Sequence, residues 1–415
     1  MKLLIFLALF GLTTAAVFQH QLIKVESRKS RMKKEGTWEE YKKARKFLNG
    51  GHFFKTFSQE MNDYGDMEYL ANVTVGTPPQ SFLVVLDTGS SDFWIPDSSC
   101  SDSSNCASVC SHAWICSALC AASCCGGNST VFEDDQKCLG KRMFNSANSS
   151  TYVANGATWG IQYGTGSCSG FRGEDTVRLG DVGADQLVVP KSAVGQATEL
   201  AALFANFPLD GILGLAFPSI DNEKADPILF TAFKQGLLDK PIFTVYLQER
   251  GHEQNVPGGV ITYGGLDTEH CSPDVDYVNL TSASWYEFKM DEFSMGTATS
   301  SDGWQVISDT GTTMIIAPSE IYAQMAQAAG VKDDGTIDCN ASFDDLKLTI
   351  NGKEYTVPAK QLILHEDNDE CAFAIGGEDF PPNAPTWILG DPFIRSYCNI
   401  YGFNDQNIGF AKVIA

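Results

Sequence analysis

The 415-residue sequence predicts an all-β protein built from two related halves. From Tyr69 onward, short runs rich in Val, Ile, Phe, Tyr and Thr alternate with Gly and Pro, as is typical of strands joined by turns. The tripeptide Asp-Thr-Gly follows an apolar run twice, at Asp87 and at Asp309. Two copies in the same local setting indicate a duplicated half that brings two carboxylates to a shared axis. Helices are expected mainly at residues 227–236 and 319–329.

A second repeated stretch supports the duplication. Residues 210–217 follow the first aspartate, residues 387–393 follow the second, and each stretch contains two apolar residues and a glycine. We expect each to form a strand directly behind the loop that carries the aspartate. Gly214 and Gly390 would then permit a close approach of the two backbones.

The N-terminus predicts a signal peptide over residues 1–16. Lys2 precedes an apolar run at residues 3–12, and small residues suited to cleavage follow it. The alternative, a membrane anchor, is disfavoured because this run is far shorter than the ~20 residues needed to cross a bilayer. No later segment is long enough either, so we expect no membrane span and a secreted or lysosomal destination.

Cysteines and glycosylation sequons agree with entry into the secretory pathway. The chain has 13 cysteines, and such usage is typical of an oxidising compartment. Five Asn-X-Ser/Thr sequons are present, although Asn72 lies in a predicted strand and we do not expect every sequon to be used. The sequons are at Asn72, Asn128, Asn148, Asn279 and Asn340.

A cysteine-rich insert at residues 100–138 makes the first half the longer one. Its spacings match no zinc pattern and its one histidine is His112, so we expect a disulfide-linked loop and no metal site. The pairing within the insert is not deducible. The eight cysteines are Cys100, Cys106, Cys110, Cys116, Cys120, Cys124, Cys125 and Cys138.

Five cysteines lie outside the insert. Cys339 and Cys371 bracket a short segment and are expected to pair with each other. Cys168, Cys271 and Cys398 remain. Because the total is odd, at least one thiol in the chain cannot form an intrachain disulfide.

Charge divides the chain into a basic beginning and an acidic body. Residues 1–57 carry a net charge of +8 and residues 58–415 carry −30, within a total of −22. A basic arm could bind nucleic acid. Its position after a signal peptide and before an acidic body instead predicts a propeptide, residues 17–55, held electrostatically on its own enzyme, with no nucleic-acid partner. Such docking weakens as carboxylates protonate. The strongly negative body repels itself less at about pH 4 than at neutral pH, so we expect the protein to work in an acidic environment.

Four motifs of the sequence, in the order in which they occur, resemble those of the pepsin-like aspartic proteases, the group of pepsin, cathepsin D and invertebrate digestive relatives. The resemblance extends from about residue 56 to residue 415, apart from the insert. It implies a bilobal fold with two β-rich lobes, residues 56–268 and 269–415, and a cleft between them. It also implies a cofactor-free aspartic endopeptidase. The motifs are LDTGSSDFWIP (86–96), YGTGS (163–167), SDTGT (308–312) and WILGD (387–391).

The chemistry of such a pair follows from its charges. Two adjacent carboxylates cannot both ionise cheaply, so Asp87 and Asp309 are expected to share one proton. The ionised group takes a proton from a water held between them, and the protonated group polarises the scissile carbonyl. Thr88 and Thr310 are expected to hydrogen-bond across the axis. Ser90 and Thr312 are expected to bond the outer carboxylate oxygens, while Gly89 and Gly311 leave the backbone open to substrate.

By the same resemblance, residues 159–167 form a flap that closes over the peptide. Tyr163 would lie at the S1 pocket and hydrogen-bond to Trp94, with Gly164 and Thr165 at the tip contacting substrate. Closure would exclude water, and the glycines keep the tip mobile. The alternative is an ordinary hairpin with a half-buried tyrosine.

The propeptide has a candidate inhibitory lysine, Lys46, which by resemblance would enter the cleft and pair with both aspartates. Arg45 and Lys43 are alternatives, and a solvated basic face with no cleft contact is another reading. Acid would protonate the carboxylates and release the segment. The mature enzyme is expected to start near Thr56.

Together these features predict a monomeric aspartic endopeptidase, made as an acid-activated zymogen, that cleaves proteins beside hydrophobic residues. One alternative is a catalytically silent peptide-binding or inhibitor protein on the same fold. Another is an adhesion or matrix protein whose active part is the cysteine-rich insert.

The sequence departs from the pepsin-like pattern at two disulfides. The insert replaces the small disulfide loop that is common in this family after the first active-site strand. No cysteine lies between Cys271 and Cys339 to form the short disulfide that often precedes the second aspartate.

Overall fold

The structure is a computed structural model. Most of the predicted signal peptide and propeptide, almost all of the cysteine-rich insert, and Lys46, Gly164 and Thr165 lie outside the described residues. The described residues are 16–25, 36, 68–100, 137–163, 166–200, 204, 208–222, 224–250, 256–365, 370–381 and 384–414.

Strands dominate the structure, which confirms the all-β prediction. In the first part of the chain they are β1 (Phe18–Val25), β2 (Glu68–Val75), β3 (Gln80–Asp87), β4 (Phe93–Pro96), β5 (Val153–Tyr163), β6 (Gly166–Leu179), β7 (Leu187–Leu200), β8 (Gly211–Gly214), β9 (Ile242–Leu247) and β10 (Val256–Tyr263).

The later strands are shorter and more numerous. They are β11 (Cys271–Asn279), β12 (Ser282–Ala283), β13 (Tyr286–Met290), β14 (Glu292–Met295), β15 (Ala298–Ser300), β16 (Trp304–Ser308), β17 (Ile315–Ala317), β18 (Thr336–Ile337), β19 (Leu346–Ile350), β20 (Lys353–Val357), β21 (Ile363–His365), β22 (Cys371–Phe373), β23 (Ile375–Gly377), β24 (Trp387–Leu389), β25 (Tyr397–Gly402) and β26 (Asn407–Val413).

Three α-helices are present in the described residues. The two predicted helices are confirmed as α1 (Ile228–Lys234) and α2 (Ser319–Ala329), and α2 ends at Gly330, whose positive φ of 75° suits glycine. A third helix, α3 (Asp391–Ser396), was not predicted; Pro392 occupies its first turn, where a missing N–H is tolerated. Short 3₁₀ segments cover Lys137–Gly140, Ser146–Asn148, Pro218–Ile220 and Ala359–Leu362.

Four sheets contain the strands. The largest has 13 strands in the order β11-β26-β25-β9-β10-β1-β2-β3-β8-β4-β7-β6-β5, with an additional pairing of β2 and β6. A six-stranded sheet has the order β12-β13-β16-β24-β17-β23, and two smaller sheets have the orders β15-β14-β19-β20 and β18-β22-β21. Each aspartate loop therefore belongs to a different sheet.

The strand pairings around the two Asp-Thr-Gly loops repeat each other. In the first half, β8 runs parallel to β3 and antiparallel to β4, and β4 runs parallel to β7. In the second half, β24 runs parallel to β16 and antiparallel to β17, and β17 runs parallel to β23. The duplication inferred from the sequence is thus visible in the topology.

The glycine of each repeated stretch lies against the aspartate loop of its own half. A Cβ atom on Gly214 would collide with the backbone of Ser91, and one on Gly390 would collide with the backbone of Thr312. This confirms that glycine permits the close backbone approach predicted at these two positions.

The 13-stranded sheet joins the two halves of the chain. Strands β9 and β10 precede residue 268, yet β9 pairs with β25 from the C-terminal part, with Val245 opposite Asn399. A lobe boundary at residues 268 and 269 stays a prediction, because these strands pair across it.

Strand β1 comes from the segment predicted as propeptide. It lies between β10 and β2, with Gln21 opposite Val260 and Lys24 opposite Tyr69. The side chains of His20, Leu22 and Lys24 are buried. The segment is therefore an integral strand of the large sheet rather than a surface attachment.

Two disulfides outside the insert cross-link the second half. Cys339 pairs with Cys371 as predicted, and Cys271 pairs with Cys398, which joins the start of β11 to β25. A further bond, Cys100–Cys138, closes the base of the cysteine-rich insert. No helix in the described part of the chain is long and apolar enough to cross a membrane.

Candidate active site

The two Asp-Thr-Gly loops meet where the two halves face each other. Asp87 is the last residue of β3, and Asp309 follows directly after β16. Both carboxylates are almost fully removed from solvent, with exposures of 4% and 0%. A buried carboxyl group requires hydrogen-bond partners, and both loops supply them locally.

Each carboxylate accepts two hydrogen bonds from its own loop. The amide of Gly89 donates to Oδ1 of Asp87 at 2.8 Å, and the Ser90 hydroxyl donates to Oδ2. The second loop repeats the pattern: the amide of Gly311 donates to Oδ1 of Asp309 at 2.9 Å, and the Thr312 hydroxyl donates to Oδ2 at 2.6 Å. The hydrogen bonds predicted for Ser90 and Thr312 are present.

The two threonines hold the loops together across the axis. The Thr88 amide donates to Oγ1 of Thr310, and the Thr310 amide donates to Oγ1 of Thr88, each at 3.0 Å. Each hydroxyl in turn donates to the backbone of the opposite half: Thr88 to the Ser308 carbonyl at 2.8 Å and Thr310 to the Leu86 carbonyl at 2.6 Å. The predicted threonine contact is therefore a reciprocal set of four bonds.

The glycines make room for the aspartate of the opposite loop. A Cβ atom on Gly89 would stand 2.7 Å from Oδ2 of Asp309, and a Cβ atom on Gly311 would collide with Oδ1 of Asp87. Any larger residue at either position would push the carboxylates apart. This is the physical reason for glycine in the third position of each tripeptide.

Burial is the largest cause of an upward shift in the pKa of both carboxyls. The negative charge of Asp309 raises the pKa of Asp87 further, while hydrogen bonds from each carboxylate's own loop oppose the shift. The titration belongs to the pair rather than to either residue. The arrangement therefore favours one proton shared between two carboxylates, with one acid and one base side by side.

Residues of the second half reach the first loop in contacts that sequence reasoning missed. The indole Nε1 of Trp285, in the turn between β12 and β13, donates to the Gly89 carbonyl at 3.0 Å. The Ser91 hydroxyl donates to the Phe217 carbonyl at 2.6 Å, and the Phe217 amide donates to the Ser284 carbonyl at 3.1 Å. No local sequence signal identifies such contacts, because their partners lie far apart in the sequence.

Asp92 lies beside the first loop but is not aimed at the pair. Its two carboxylate oxygens each accept a hydrogen bond from Asn222, from the backbone amide and from the side-chain amide, both at 3.0 Å. Its backbone carbonyl accepts from the amide of Gly214 at 2.9 Å. Asp92 therefore ties the loop to the segment after β8.

The segment predicted as the flap belongs to a β-hairpin, which both the flap and the ordinary-hairpin alternatives require. Strands β5 and β6 pair as far as Tyr163 opposite Gly166. Gly164, Thr165 and the Tyr163 side chain lie outside the described residues, so their contact with substrate stays a prediction. Trp94 is fully buried, with its ring 5.4 Å from that of Phe204, and its bond to Tyr163 likewise stays a prediction.

The remaining predicted positions are distributed over the surface and the second half. Three sequons have exposed asparagines, at Asn148, Asn279 and Asn340. Asn72 is half-buried on β2 and donates to Oδ1 of Asp181 at 2.9 Å, which makes it a poor acceptor for a glycan. Asn128 and Lys46 lie outside the described residues.

One group in the described part of the chain has metal-ligand chemistry. The sulfur atoms of Cys339 and Cys371 and a ring nitrogen of His365 lie within 4.8 Å of one another. The two sulfur atoms are bonded to each other, however, and a disulfide does not supply the thiolates that such a site would need.

The comparisons with known proteins agree with this geometry. The sequence pattern of the family described as "Eukaryotic aspartyl protease" matches residues 68–413. The chain is 40% identical over 418 residues to Aspartic protease 6 of Caenorhabditis elegans, with 99% of each chain covered. It is 41% identical over 425 residues to Aspartic protease 2 of Necator americanus, again with 99% of each chain covered. It is 31% identical over 429 residues to Pepsin II-2/3 of Oryctolagus cuniculus, with 100% of each chain covered.

The chain therefore belongs to the eukaryotic aspartyl protease family. It is an aspartic-type hydrolase of peptide bonds, and its substrates are proteins.

Proposed function

We propose that Asp87 and Asp309 are the catalytic pair of an acid-active endopeptidase. The observation that supports this most strongly is the reciprocal packing of the two loops: each carboxylate lies where a Cβ on the opposite glycine would stand. Neither loop alone brings two buried carboxylates together. The pairing exists only when both halves have folded onto each other.

The proposed reaction uses the shared proton and one water molecule. The ionised carboxylate accepts a proton from the water, whose oxygen attacks the scissile carbonyl carbon. The protonated carboxyl gives its proton to the carbonyl oxygen, which yields a neutral tetrahedral diol. In the breakdown, the protonated carboxyl gives its proton to the amine nitrogen as the C–N bond breaks, and the ionised carboxylate accepts a proton from one diol hydroxyl, so the pair again holds one proton. No covalent enzyme intermediate is formed.

An extended peptide is the substrate form that suits this site. The hairpin of β5 and β6 packs in one apolar cluster with Trp94, which follows the first loop, and backbone hydrogen bonds from such a hairpin can hold an extended chain. Buried apolar side chains, including Trp94, Ile161 and Phe204, form a cluster in the same part of the first half. These features support a preference for hydrophobic residues beside the cleaved bond.

The zymogen proposal is supported by β1. Residues 18–25 precede the family match and yet occupy a central position in the large sheet, paired on both sides. Removal of the predicted propeptide must therefore break two strand pairings. We assign the inhibitory contact to Lys46 on the resemblance alone, and we place the protein in the secretory pathway on its predicted signal peptide.

Acidification of the purified zymogen tests these proposals together. The protein is brought from about pH 7 to about pH 4 while cleavage of an unfolded protein and the mass of the chain are followed. Asp87→Asn, Asp309→Asn and the surface control Asp405→Asn are treated in parallel. We expect substrate cleavage and loss of the residues before about Thr56 in the wild type and in the Asp405 variant, and neither event in the other two.

The same experiment identifies the alternative function. If another protease removes the propeptide and the wild-type protein still cleaves nothing, the catalytic proposal is wrong. A silent peptide-binding protein would then be the better description.

A further inference from the structure

The residue before the second catalytic aspartate is held by a chain of buried hydrogen bonds. Nδ2 of Asn399 donates to the Tyr397 carbonyl at 2.9 Å, which fixes the orientation of the amide and leaves its Oδ1 as an acceptor. The Ser308 hydroxyl donates to that oxygen at 2.9 Å. Because Ser308 has one hydroxyl proton, the Tyr401 hydroxyl, 2.8 Å from Oγ of Ser308, must be the donor in that contact.

The backbone of the same residue is held from the opposite half. The Ser308 carbonyl accepts the hydroxyl of Thr88 at 2.8 Å, and the next residue in the chain is Asp309. Ser308 is therefore held through its side chain by Asn399 and Tyr401 and through its carbonyl by Thr88. These contacts fix the peptide bond that leads into Asp309. Movement of Ser308 would displace both Asp309 and the loop of Asp87.

The described part of the first half contains no counterpart of this network. The residue before Asp87 is Leu86, a buried apolar side chain that cannot form a hydrogen bond. The two loops are alike in their Asp-Thr-Gly geometry but differ in how they are attached to the protein. The polar anchor belongs to the second carboxylate alone.

The ring of Tyr401 is itself immobile. It is fully buried on β25, lies stacked on Phe243 of β9 with centroids 4.6 Å apart and planes at 9°, and meets the edge of Tyr286 at 4.8 Å. These three rings come from strands of two different sheets. Tyr401, Phe243 and Tyr286 thus form a rigid aromatic cluster that holds the Tyr401 hydroxyl next to Ser308.

The hydroxyl remains a neutral donor over the working range. Burial raises the pKa of Tyr401 well above its usual range, against the opposing effect of its hydrogen bonds with Ser308 and Thr88. The negative charge of Asp309 raises it further. A change of pH that titrates the catalytic pair therefore leaves this support unchanged.

We propose that Tyr401 is a positioning residue for Asp309, acting through Ser308 to hold the second carboxylate at its close distance from the first. The inference rests on the proposed catalytic role of the pair. In this proposal, β25 and the aromatic cluster contribute to catalysis as well as to stability. A displacement of the reacting groups by as little as about 1 Å can cost roughly 100-fold in rate.

A positioning role has a signature in the pH profile. Repulsion between the carboxylates separates the two pKa values of the pair, and the enzyme is active between them. If Asp309 is held less firmly, the average separation of the carboxylates grows and the repulsion weakens. The two pKa values then converge, and the bell-shaped profile of kcat becomes narrower.

The test compares Tyr401→Phe, Ser308→Ala and the double variant with the wild type, each activated by acid and assayed on a peptide with hydrophobic residues beside the cleaved bond. We expect Tyr401→Phe to lower kcat by about 10-fold with KM nearly unchanged and to narrow the profile. Because Tyr401 acts through Ser308, the double variant should be no worse than the poorer single variant. Tyr355→Phe, which removes a hydroxyl from another buried tyrosine on β20, serves as the matched control.

Two results separate the possible failures. A lower melting temperature for Tyr401→Phe with wild-type kcat and an unchanged profile would show a purely structural role and overturn the inference. Asp309→Asn is assayed in the same series. If that variant is inactive, a negative result for Tyr401 counts against the positioning role alone, whereas an active Asp309→Asn enzyme overturns the proposed function as well.

Discussion

Thr88 and Thr310 exchange backbone-to-hydroxyl hydrogen bonds of equal length, 3.0 Å in each direction, across the line where the two halves of the chain meet. Each hydroxyl is also a donor to the residue that precedes the opposite aspartate. The pair therefore connects the two carboxylate loops to each other, and the geometry of one half depends on the folding of the other.

Thr88→Ala should damage this connection more than its small change in volume suggests. The substitution leaves the Thr310 amide and the Ser308 carbonyl without a partner in a buried site, which costs roughly 1–3 kcal/mol. We expect a lower melting temperature and a lower kcat. Thr88→Ser keeps the hydroxyl and should retain most of both. Equal kcat values for the alanine and serine variants would contradict the role given to the hydroxyl.

Asp391 should make the folded protein more stable in acid than at neutral pH. Its side chain is 1% exposed, Oδ1 has no hydrogen-bond partner, and burial raises its pKa to about 8. Arg395 opposes this shift and Asp309 adds to it. A carboxyl with a raised pKa in the folded state contributes stability that is complete below the unfolded value of 3.8 and is lost as pH rises toward 8.

The isosteric variant Asp391→Asn should remove the loss of stability that ionisation of Asp391 causes as the pH rises. In the inactive Asp87→Asn background, which prevents self-digestion, we expect it to raise stability at pH 7 by up to roughly 4 kcal/mol and to change little at pH 4. Denaturant unfolding at both pH values measures the difference. The surface variant Asp405→Asn controls for the loss of one negative charge. A gain of equal size at both pH values would show that protonation is not its cause.

His20 should make the pairing of β1 with its neighbouring strands sensitive to acid. It is 1% exposed, Nδ1 lies 3.3 Å from the Tyr263 hydroxyl, and Nε2 has no partner. Burial lowers its pKa from 6.5 to about 4, although the charge of Asp181 and a hydrogen bond with the backbone of Asn72 oppose this. Because the pKa of His20 is lower in the folded state, its contribution to the free energy of unfolding is complete above pH 6.5. That contribution, roughly 3 kcal/mol in total, is lost as the pH falls toward 4.

Hydrogen exchange of the amides in residues 18–25 measures this release directly. In the inactive Asp87→Asn background, protection should fall as the pH is lowered from about 6.5 to 4, and His20→Leu should shift the fall to lower pH. His270, whose side chain is 17% exposed and lies 2.7 Å from Asp267, provides the control His270→Gln. An unchanged pH dependence in His20→Leu would assign the release to other groups.

The sequence predicted the parts of the site that depend on local geometry. An Asp-Thr-Gly tripeptide followed by a hydroxyl residue predicted the bond from Ser90 to Asp87, and the repeated motif predicted the bond from Thr312 to Asp309. The glycine behind each loop was predictable for the same reason: a close approach of two backbones excludes any side chain.

Contacts between distant segments were not predictable. The bond from Trp285 to Gly89 joins residues 196 positions apart, and the bond between Ser308 and Tyr401 joins residues 93 apart. The pairing of Cys271 with Cys398 was one of several options that spacing left open. Their positions depend on how sheets pack, and a serine or a tyrosine in a strand is by itself an ordinary residue.

The pH profile of kcat for the mature enzyme tests the central claim most directly. If Asp87 and Asp309 share one proton, activity requires one ionised and one protonated carboxyl. The profile should then be a bell in the acidic range, with its alkaline limb above the ordinary pKa of an aspartate because burial and mutual repulsion retain the shared proton. Activity that rises through neutral pH to a plateau would show that a single ionised base suffices, and it would contradict the shared-proton mechanism.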